Sequence, residues 1–490
     1  MSDSSAKSVG GAGIGKLILQ YFPGQILPGL ISFFSVPFLT RLFTKEQYGY
    51  YILVLSTATT VSCLGFSWVG NCALRFYRSL EKEPAKLFFH LFFSVILTAI
   101  VLAGIGVAVW PWLPERYRGI ILISVPPTVF LAVEEVMAST LRAQNKAIVF
   151  SIYQGLNTLA RFLPGIVAIA WLSADIKTFV GGWTIGAFAV AVFLMVLTGA
   201  AEGLRPRRLD KTLLGEFLRY GSPITAVSLM GIIMGTADRY IIDIFHSSEA
   251  VAIYGLSYQL GSISILLVSR AIMMAVLPRA IDTYQCGQEY MEVAARGLRY
   301  FLLASFCVLA VVAVPAPQIL ELYGGSGFNV GGNVLRIVMV AVFVMSLAHY
   351  FRMPFLVNRR TNILLPVGAI PAVLSVVLNL TLVPLFGGAG SAIALLVSYS
   401  LMLLMSIYYS RKIVRIEWPM ATLFRCMVAA AVVLVVAWIT RQIVDLSSLM
   451  ILGLAMAGWT LVYGLVLYVS GEIREEIKYL WRKLTKVSNF

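Results

Sequence analysis

The chain has 490 residues, 59% of them hydrophobic and 12% charged, and its formal net charge is +15. Soluble globular domains carry about twice that charged fraction, so the composition excludes an ordinary soluble enzyme or binding module. The apolar residues instead form fourteen segments that fill nearly the whole chain. Each has the ~20 residues that a helix needs to cross a hydrocarbon core of about 30 Å.

These segments are predicted to be transmembrane helices, because only helices and closed barrels satisfy every backbone polar group within lipid. The sequence therefore predicts an all-α integral membrane protein with about fourteen spans and no room for a soluble domain. In chain order the segments cover residues 17–40, 48–69, 87–110, 119–141, 148–172, 178–199, 218–242, 251–275, 297–316, 332–356, 362–386, 388–409, 421–440 and 447–468.

The basic residues between these segments predict the orientation of the chain. Lys and Arg are concentrated in alternate loops, with 27 in the set that includes both termini and 6 in the opposite set. By the positive-inside rule both termini are cytoplasmic. The positive net charge is therefore attributed to topology, and no nucleic-acid partner is expected.

The residues that follow the last segment predict a cytoplasmic amphipathic tail. Ile473, Ile477, Leu480 and Leu484 recur at helical spacing beside several Lys and Arg residues, a pattern typical of a helix lying on anionic lipid headgroups. The five cysteines and three histidines are scattered without a ligand spacing. They predict no metal site and no catalytic centre.

The two halves of the chain contain related sequences, which predicts a duplicated six-helix unit. Because six is even, both copies would have the same orientation in the membrane, as in transporters with parallel repeats. Matching positions are Tyr21 with Tyr220, Tyr48-Gly49 with Tyr254-Gly255, and Leu141 with Leu356. The predicted domains are 1–209 and 210–412 for the two bundles, 413–470 for two additional helices, and 471–490 for the tail.

Several short motifs in this order resemble a known family. They are the run from Pro37 through Arg41 to Tyr50, Leu64-Gly-Phe with Ala73-Leu-Arg-Phe-Tyr, Ala237-Asp-Arg-Tyr-Ile-Ile, Leu322-Tyr-Gly with Val334-Leu-Arg-Ile, and Leu378-Asn-Leu-Thr-Leu-Val-Pro-Leu-Phe-Gly-Gly-Ala-Gly. The chain resembles the polysaccharide transporter family, bacterial flippases for lipid-linked oligosaccharide (O-antigen) repeat units within the multidrug/oligosaccharidyl-lipid/polysaccharide exporter superfamily.

This resemblance covers residues of about 10–410 and implies a fold, a cargo and a place in the cell. The fold would be two six-helix bundles around a central cavity that opens alternately to each side. The cargo would be a polyprenyl-pyrophosphate-linked glycan, and the location the bacterial inner membrane. One departure is Ala252, where the family commonly has Gly.

Ionisable residues within membrane-spanning helices are expensive to bury, so each is a functional candidate. Arg161 lies deepest, about 20 Å along its helix at 1.5 Å per residue. We expect it to face a cavity, or to pair with Glu134 or Glu135. These two glutamates are candidates for coupling transport to an H⁺ or Na⁺ gradient, and the alternative is a salt bridge with Arg142 or Arg161.

The other candidates lie nearer the helix ends. Asp238, also a coupling candidate, and Arg239 form either a clasp between helices or a ligand contact. The candidates for binding an anionic headgroup in a cationic cavity, besides Arg161 and Arg239, are Arg270, Arg75, Arg78 and Arg352. The alternative for Arg270 is snorkelling to lipid headgroups, and for Arg75, Arg78 and Arg352 it is enforcement of topology.

Three functions fit a chain of this kind. A flippase for a lipid-linked oligosaccharide is favoured, because arginines stabilise a pyrophosphate and stay protonated. A drug or small-solute antiporter of the same superfamily is the first alternative, although deep arginines would repel cationic drugs. A membrane glycan polymerase or ligase is the second, although the longest outward loop lacks Lys, Arg and His. Membrane lipids and other polysaccharide-assembly proteins are the expected further partners.

Overall fold

The computed structural model describes Gly29 and residues 31–144, 146–205, 208–285, 290–358, 360–414 and 418–474. Within these ranges the chain is helical and contains no β-strand. It divides into two compact units, Met1–Tyr240 and Ile241–Phe490. Large apolar side chains such as Ile100 and Leu461 are exposed on the outside of the helices, as expected where lipid replaces water as the solvent.

The described residues of the first unit form seven helices, the last of which, α7, continues five residues into the second unit. Within it α2 packs on α4, α4 on α6, and α5 on α6. Two short 3₁₀ turns, Trp110–Trp112 and Ala200–Leu204, follow α3 and α6. The helices are α1 (Ile31–Leu42), α2 (Lys45–Phe76), α3 (Pro84–Val109), α4 (Glu115–Ala143), α5 (Ala147–Trp171), α6 (Ile176–Thr198) and α7 (Lys211–Phe245).

Local sequence explains where α2 begins and how closely α5 and α6 approach. The Thr44 hydroxyl accepts from the Gln47 amide at 3.2 Å and the Gln47 side chain accepts from the Thr44 amide at 3.1 Å, so the two form a capping box. On α6, a Cβ at Gly186 would lie 1.6 Å from the Ala160 carbonyl of α5. Only glycine therefore permits this helix contact.

The connection between α6 and α7 is held against α3. The His90 ring is buried; its Nδ1 lies 2.8 Å from the Lys86 carbonyl and its Nε2 lies 2.9 Å from the Asp210 amide nitrogen. Lys86 Nζ also lies 2.9 Å from an Asp210 carboxylate oxygen. This ammonium, together with the Leu213 and Thr212 amides at the start of α7, holds the pKa of Asp210 below its usual value.

In the part of the second unit that the structure describes, seven further helices are present. Within it α8 packs on α11, α11 on α12, α9 on α13, and α13 on α14. The helices are α8 (Ser248–Gln285), α9 (Met291–Ala313), α10 (Ala316–Gly324), α11 (Gly332–Val357), α12 (Leu364–Arg411), α13 (Met420–Ile443) and α14 (Leu449–Val469).

The long helix α12 is a hairpin of two segments rather than one straight rod. Gly387 has φ 56° and ψ −136°, outside the helical region. The Ser391 hydroxyl donates to Asn379 Oδ1 at 2.7 Å, although residues twelve apart in a straight helix are separated by about 18 Å. A Cβ at Gly390 would lie 2.3 Å from the Leu382 carbonyl. The chain therefore turns back at Gly387, between the segments predicted at 362–386 and 388–409.

A buried carboxylate joins three helices at one end of the second unit. Glu472, just after α14, accepts from Arg299 Nε at 2.7 Å, from Arg425 Nη1 at 2.6 Å and from the Thr422 hydroxyl at 2.6 Å. Burial opposes its ionisation, but these three donors outweigh burial and lower the pKa of Glu472. We call this group, Glu472 with Arg299, Thr422 and Arg425, the C-terminal clasp.

The all-helical fold class predicted from the sequence is confirmed. Ten helices in the described part of the chain are long and apolar enough to cross a membrane, and the number fourteen stays a prediction, as do the predicted domain boundaries. Helix α10 was not predicted. Residues 17–28 and 30 of the first predicted segment lie outside the described residues, and so do residues 475–490 of the predicted tail.

Candidate functional site

The first unit contains a polar cavity of about 450 Å³ between α2, α4 and α5. We call it the α2–α4–α5 cavity. Its lining combines four charged side chains with hydroxyls, amides and aromatic rings. The lining residues are Thr59, Ser62, Cys63, Ser67, Leu131, Glu134, Glu135, Ala138, Arg142, Phe150, Tyr153, Gln154, Asn157, Thr158 and Arg161.

Arg161 both faces this cavity and forms an ion pair with Glu134. Its Nη2 contacts Glu134 Oε2. The Glu134 side chain is 2% exposed and that of Arg161 is 30% exposed, so the pair is largely removed from solvent. The two alternatives that the sequence left open for Arg161 are thus both realised, because the guanidinium lines the cavity while it neutralises the buried carboxylate.

Glu135 and Arg142 form a second, looser pair at the same wall. Arg142 Nη2 lies 3.4 Å from Glu135 Oε1 and 2.7 Å from the Ser139 hydroxyl. Both side chains are close to half exposed. The Arg142 guanidinium also lies 5.7 Å from the centre of the Phe150 ring. Each of the two glutamates is therefore paired with an arginine, and the four charges sum to zero.

The rest of the wall is neutral and polar. Asn157 Nδ2 donates to the Tyr153 hydroxyl at 3.0 Å, and both residues are buried. The Thr158 hydroxyl donates to the Gln154 carbonyl on its own helix. The side-chain amide of Gln154 bonds to none of the described residues. These α5 residues follow one another at helical spacing, so a single helix face supplies most of the cavity's hydrogen-bonding groups.

Asp238 and Arg239 lie at α7 and contact α2 rather than the α2–α4–α5 cavity. Arg239 Nη1 donates to the Ser56 hydroxyl at 2.8 Å, and its amide donates to Asp238 Oδ1 at 2.8 Å. The neighbouring hydroxyls of Tyr240 and Thr57 share a hydrogen bond of 2.9 Å. This is the geometry of a clasp between α7 and α2.

Arg270 and Arg352 belong to a cationic group in the second unit. Arg270 lies on α8 and Arg352 on α11, and these two helices pack against each other. Neither arginine forms an ion pair with any acidic residue in the part of the chain that the structure describes. We call Arg270 and Arg352 the unit-2 cationic cluster.

Arg75 and Arg78 lie at the end of α2 and are exposed. Arg75 occupies the last turn of the helix, where a positive charge is favoured by the helix dipole, and Arg78 follows it. Neither lines the α2–α4–α5 cavity. Of the predicted site residues in the first unit, Arg161, Glu134 and Glu135 line one cavity, whereas Arg75, Arg78, Asp238 and Arg239 do not line it.

Comparison with known proteins places the chain in a family. The family model described as "Polysaccharide biosynthesis protein" matches residues 14–283. The chain belongs to this family. Two relatives from Haloferax volcanii carry the names "Probable flippase AglR" and "Probable low-salt glycan biosynthesis flippase Agl15". AglR is 25% identical over 69% of this chain and 71% of its own length, and Agl15 is 22% identical over 53% and 55%.

Solved structures show the same fold. An inward closed conformation of the lipid II flippase MurJ aligns with a TM-score of 0.74 at 14% identity, covering 90% of this chain and 99% of that one. An outward-facing multidrug resistance MATE transporter of the MOP superfamily aligns with a TM-score of 0.55 at 16% identity, covering 81% and 94%. The predicted family resemblance and the expectation of a multi-pass membrane transporter rather than an enzyme are confirmed by these matches.

Proposed function

We propose that this member of the polysaccharide biosynthesis family is a flippase for a polyprenyl-diphosphate-linked oligosaccharide, which it moves from the cytoplasmic to the outer leaflet by alternating access. The observation that carries the proposal is the similarity to two relatives named as flippases, the longer match extending over 69% of this chain. The all-helical membrane fold provides the necessary scaffold, since a chain without a sizeable soluble part acts within the bilayer.

The unit-2 cationic cluster supports an anionic lipid headgroup as cargo. A diphosphate carries two or more negative charges and cannot cross about 30 Å of hydrocarbon without compensation. Arginine supplies charged donors that match phosphate oxygens and do not lose their proton. Because Arg270 and Arg352 have no acidic partner among the described residues, their charges are available to a ligand. We therefore assign Arg270 and Arg352 to the binding of the diphosphate.

Coupling, location and partners complete the proposal. Coupling to an H⁺ or Na⁺ gradient would involve Glu134, Glu135 or Asp238, and Glu135 is the most exposed of the three. We place the protein in the bacterial inner membrane, as the family resemblance implies, with both termini cytoplasmic by the positive-inside rule. Other polysaccharide-assembly proteins would supply the glycolipid and remove it.

The remaining candidate is an antiporter for drugs or small solutes, and the MATE likeness, at 16% identity, supports its fold alone. Arg270 and Arg352 oppose it, because they have no acidic partner among the described residues and would repel a cationic drug.

The decisive experiment is transport by purified protein in liposomes. Lipid-linked oligosaccharide extracted from the source organism is incorporated, and the fraction exposed on each leaflet is followed with a membrane-impermeant glycan-oxidising reagent, with and without imposed H⁺ or Na⁺ gradients. We expect exposure to equilibrate rapidly with the wild type and slowly with Arg270→Ala/Arg352→Ala. Equal rates in protein-free and wild-type liposomes would refute the proposal, and drug-driven cation exchange would favour the antiporter.

A further inference from the structure

The α2–α4–α5 cavity has a different chemistry from the unit-2 cationic cluster. Its two arginines are already engaged by two carboxylates, Arg161 by Glu134 and Arg142 by Glu135. A diphosphate entering this cavity would meet guanidinium charges that are already offset by carboxylates, and it would lie beside those two negative charges. Because like charges in a partly desolvated site repel strongly, the cavity is poorly suited to the headgroup of the cargo.

Several hydrogen-bonding groups of the cavity wall have no partner among the described residues, and most of them are neutral or accept hydrogen bonds. The Gln154 amide and the Ser62 hydroxyl make no side-chain hydrogen bond to another described residue. Glu135 uses only Oε1 in its contacts with Arg142 and Ser139, so Oε2 can accept. An amide offers both donors and an acceptor, and a carboxylate accepts from hydroxyls without reorienting. Such a set complements a ligand rich in hydroxyl groups.

Aromatic rings and size point to the same class of ligand. Phe150 and Tyr153 are one turn apart on α5 and both line the cavity. An aromatic face packs against the C–H face of a pyranose while the polar groups around it bind the hydroxyls. The volume of about 450 Å³ lies within the range of about 300–1,000 Å³ that is usual for small-molecule sites.

From this arrangement we propose that the α2–α4–α5 cavity is a saccharide subsite, which binds sugar residues of the cargo. The proposal rests on the proposed flippase function and adds a site for the sugar within the first unit. The paired charges keep the cavity polar while its four charged side chains sum to zero. Gln154, Ser62 and Glu135 are its hydrogen-bonding contacts, with Phe150 and Tyr153 as the apolar wall.

The saccharide subsite can be tested with two lipids that differ only in whether they carry the sugar. Full-length protein in nanodiscs is titrated with bare polyprenyl diphosphate and with the polyprenyl-diphosphate-linked oligosaccharide of the source organism. Gln154→Ala and Ser62→Ala should each weaken binding of the glycan-bearing lipid by about 3- to 10-fold, the loss of one neutral hydrogen bond. Binding of the bare lipid should change less than about 2-fold, since neither residue then has a ligand to contact.

A matched control is available on α14. Thr460 is exposed, its hydroxyl donates to the carbonyl four residues earlier, and it lines neither proposed site, so Thr460→Ala should leave binding of both lipids unchanged. Arg352→Ala should weaken both lipids together, because both contain the diphosphate.

The possible failures are distinguishable. Equal weakening of both lipids by Gln154→Ala, or no weakening of either by both cavity variants, would overturn the saccharide subsite and leave the flippase proposal standing. If the wild type binds neither lipid, the flippase proposal fails and the subsite fails with it.

Discussion

Removing Arg161 should destabilise the first unit because it leaves the Glu134 carboxyl group buried and without its cation. The Glu134 side chain is 2% exposed, and breaking a buried ion pair by removing one partner costs about 3–5 kcal/mol. Replacing both partners by apolar residues of similar volume is close to neutral. We therefore expect Arg161→Met to be strongly destabilising and Arg161→Met/Glu134→Met to recover most of the loss, a coupling energy of about 3 kcal/mol or more.

The second pair in the cavity provides the matched control. Glu135 and Arg142 are close to half exposed and 3.4 Å apart, so their coupling energy should be about 1 kcal/mol or less. Both double-mutant cycles can be measured by unfolding in mixed micelles of dodecyl maltoside and SDS, followed by tryptophan fluorescence. If Arg161→Met costs no more than Arg142→Met, the assignment of a buried, structurally coupled pair is wrong.

Further variants of Arg161 separate its effect on stability from its effect on transport. Arg161→Ala should reach the membrane but lose export, and Arg161→Lys, which keeps a charge beside Glu134, should be partly active. The double variant Arg161→Met/Glu134→Met tests whether export continues when this part of the cavity wall is stable but uncharged. Full export by the alanine variant would remove Arg161 from the mechanism.

Three further predictions concern the second unit. Glu472→Gln should cost about 3 kcal/mol, because Arg299 and Arg425 lose their carboxylate, whereas Glu292→Gln in an exposed pair should cost below about 0.5 kcal/mol. Since the pKa of Glu472 is lowered in the fold, its contribution to the free energy of unfolding is fully present above the ordinary carboxyl pKa of 4.5 and declines as the pH falls below that value. The difference in thermal midpoint between the wild type and Glu472→Gln should therefore shrink on acidification. A difference that stays constant down to pH 2 would contradict this. Gly387→Ala should cost about 1–3 kcal/mol through backbone strain alone, since its Cβ would meet nothing closer than 3.5 Å, while Gly368→Ala in an open helical position should be neutral or stabilising; equal thermal midpoints for the two would argue against the strained turn.

Features encoded locally could be predicted from the sequence. The apolar segments correspond to helices because burial in lipid requires only length and hydropathy. The segment boundary at 386–388 coincides with the turn at Gly387, where a glycine pair marks the position. The nine-residue helix α10 was missed because it is too short for a helical period to distinguish it from a loop.

Features that depend on helix rotation and neighbours could not be predicted to the same extent. The pairing of Arg161 with Glu134 was one of two alternatives, because adjacent glutamates on a helix point about 100° apart and the sequence does not say which one faces α5. Glu472 and Arg299 form an ion pair although they are 173 positions apart in the sequence, so no local sequence pattern indicates the pair. Tail residues after 474 lie outside the described part, so the amphipathic helix stays a prediction.

The hairpin at Gly387 has a consequence for biosynthesis. Residues 361–410 contain no Asp, Glu, Lys, Arg or His, and the turn itself has no hydrophilic loop, with Leu385 and Phe386 exposed beside it. Translocating this connection through the hydrocarbon region requires no charge to be desolvated. The two arms can therefore enter the bilayer together from one side, retained there by the arginines and lysine that flank them.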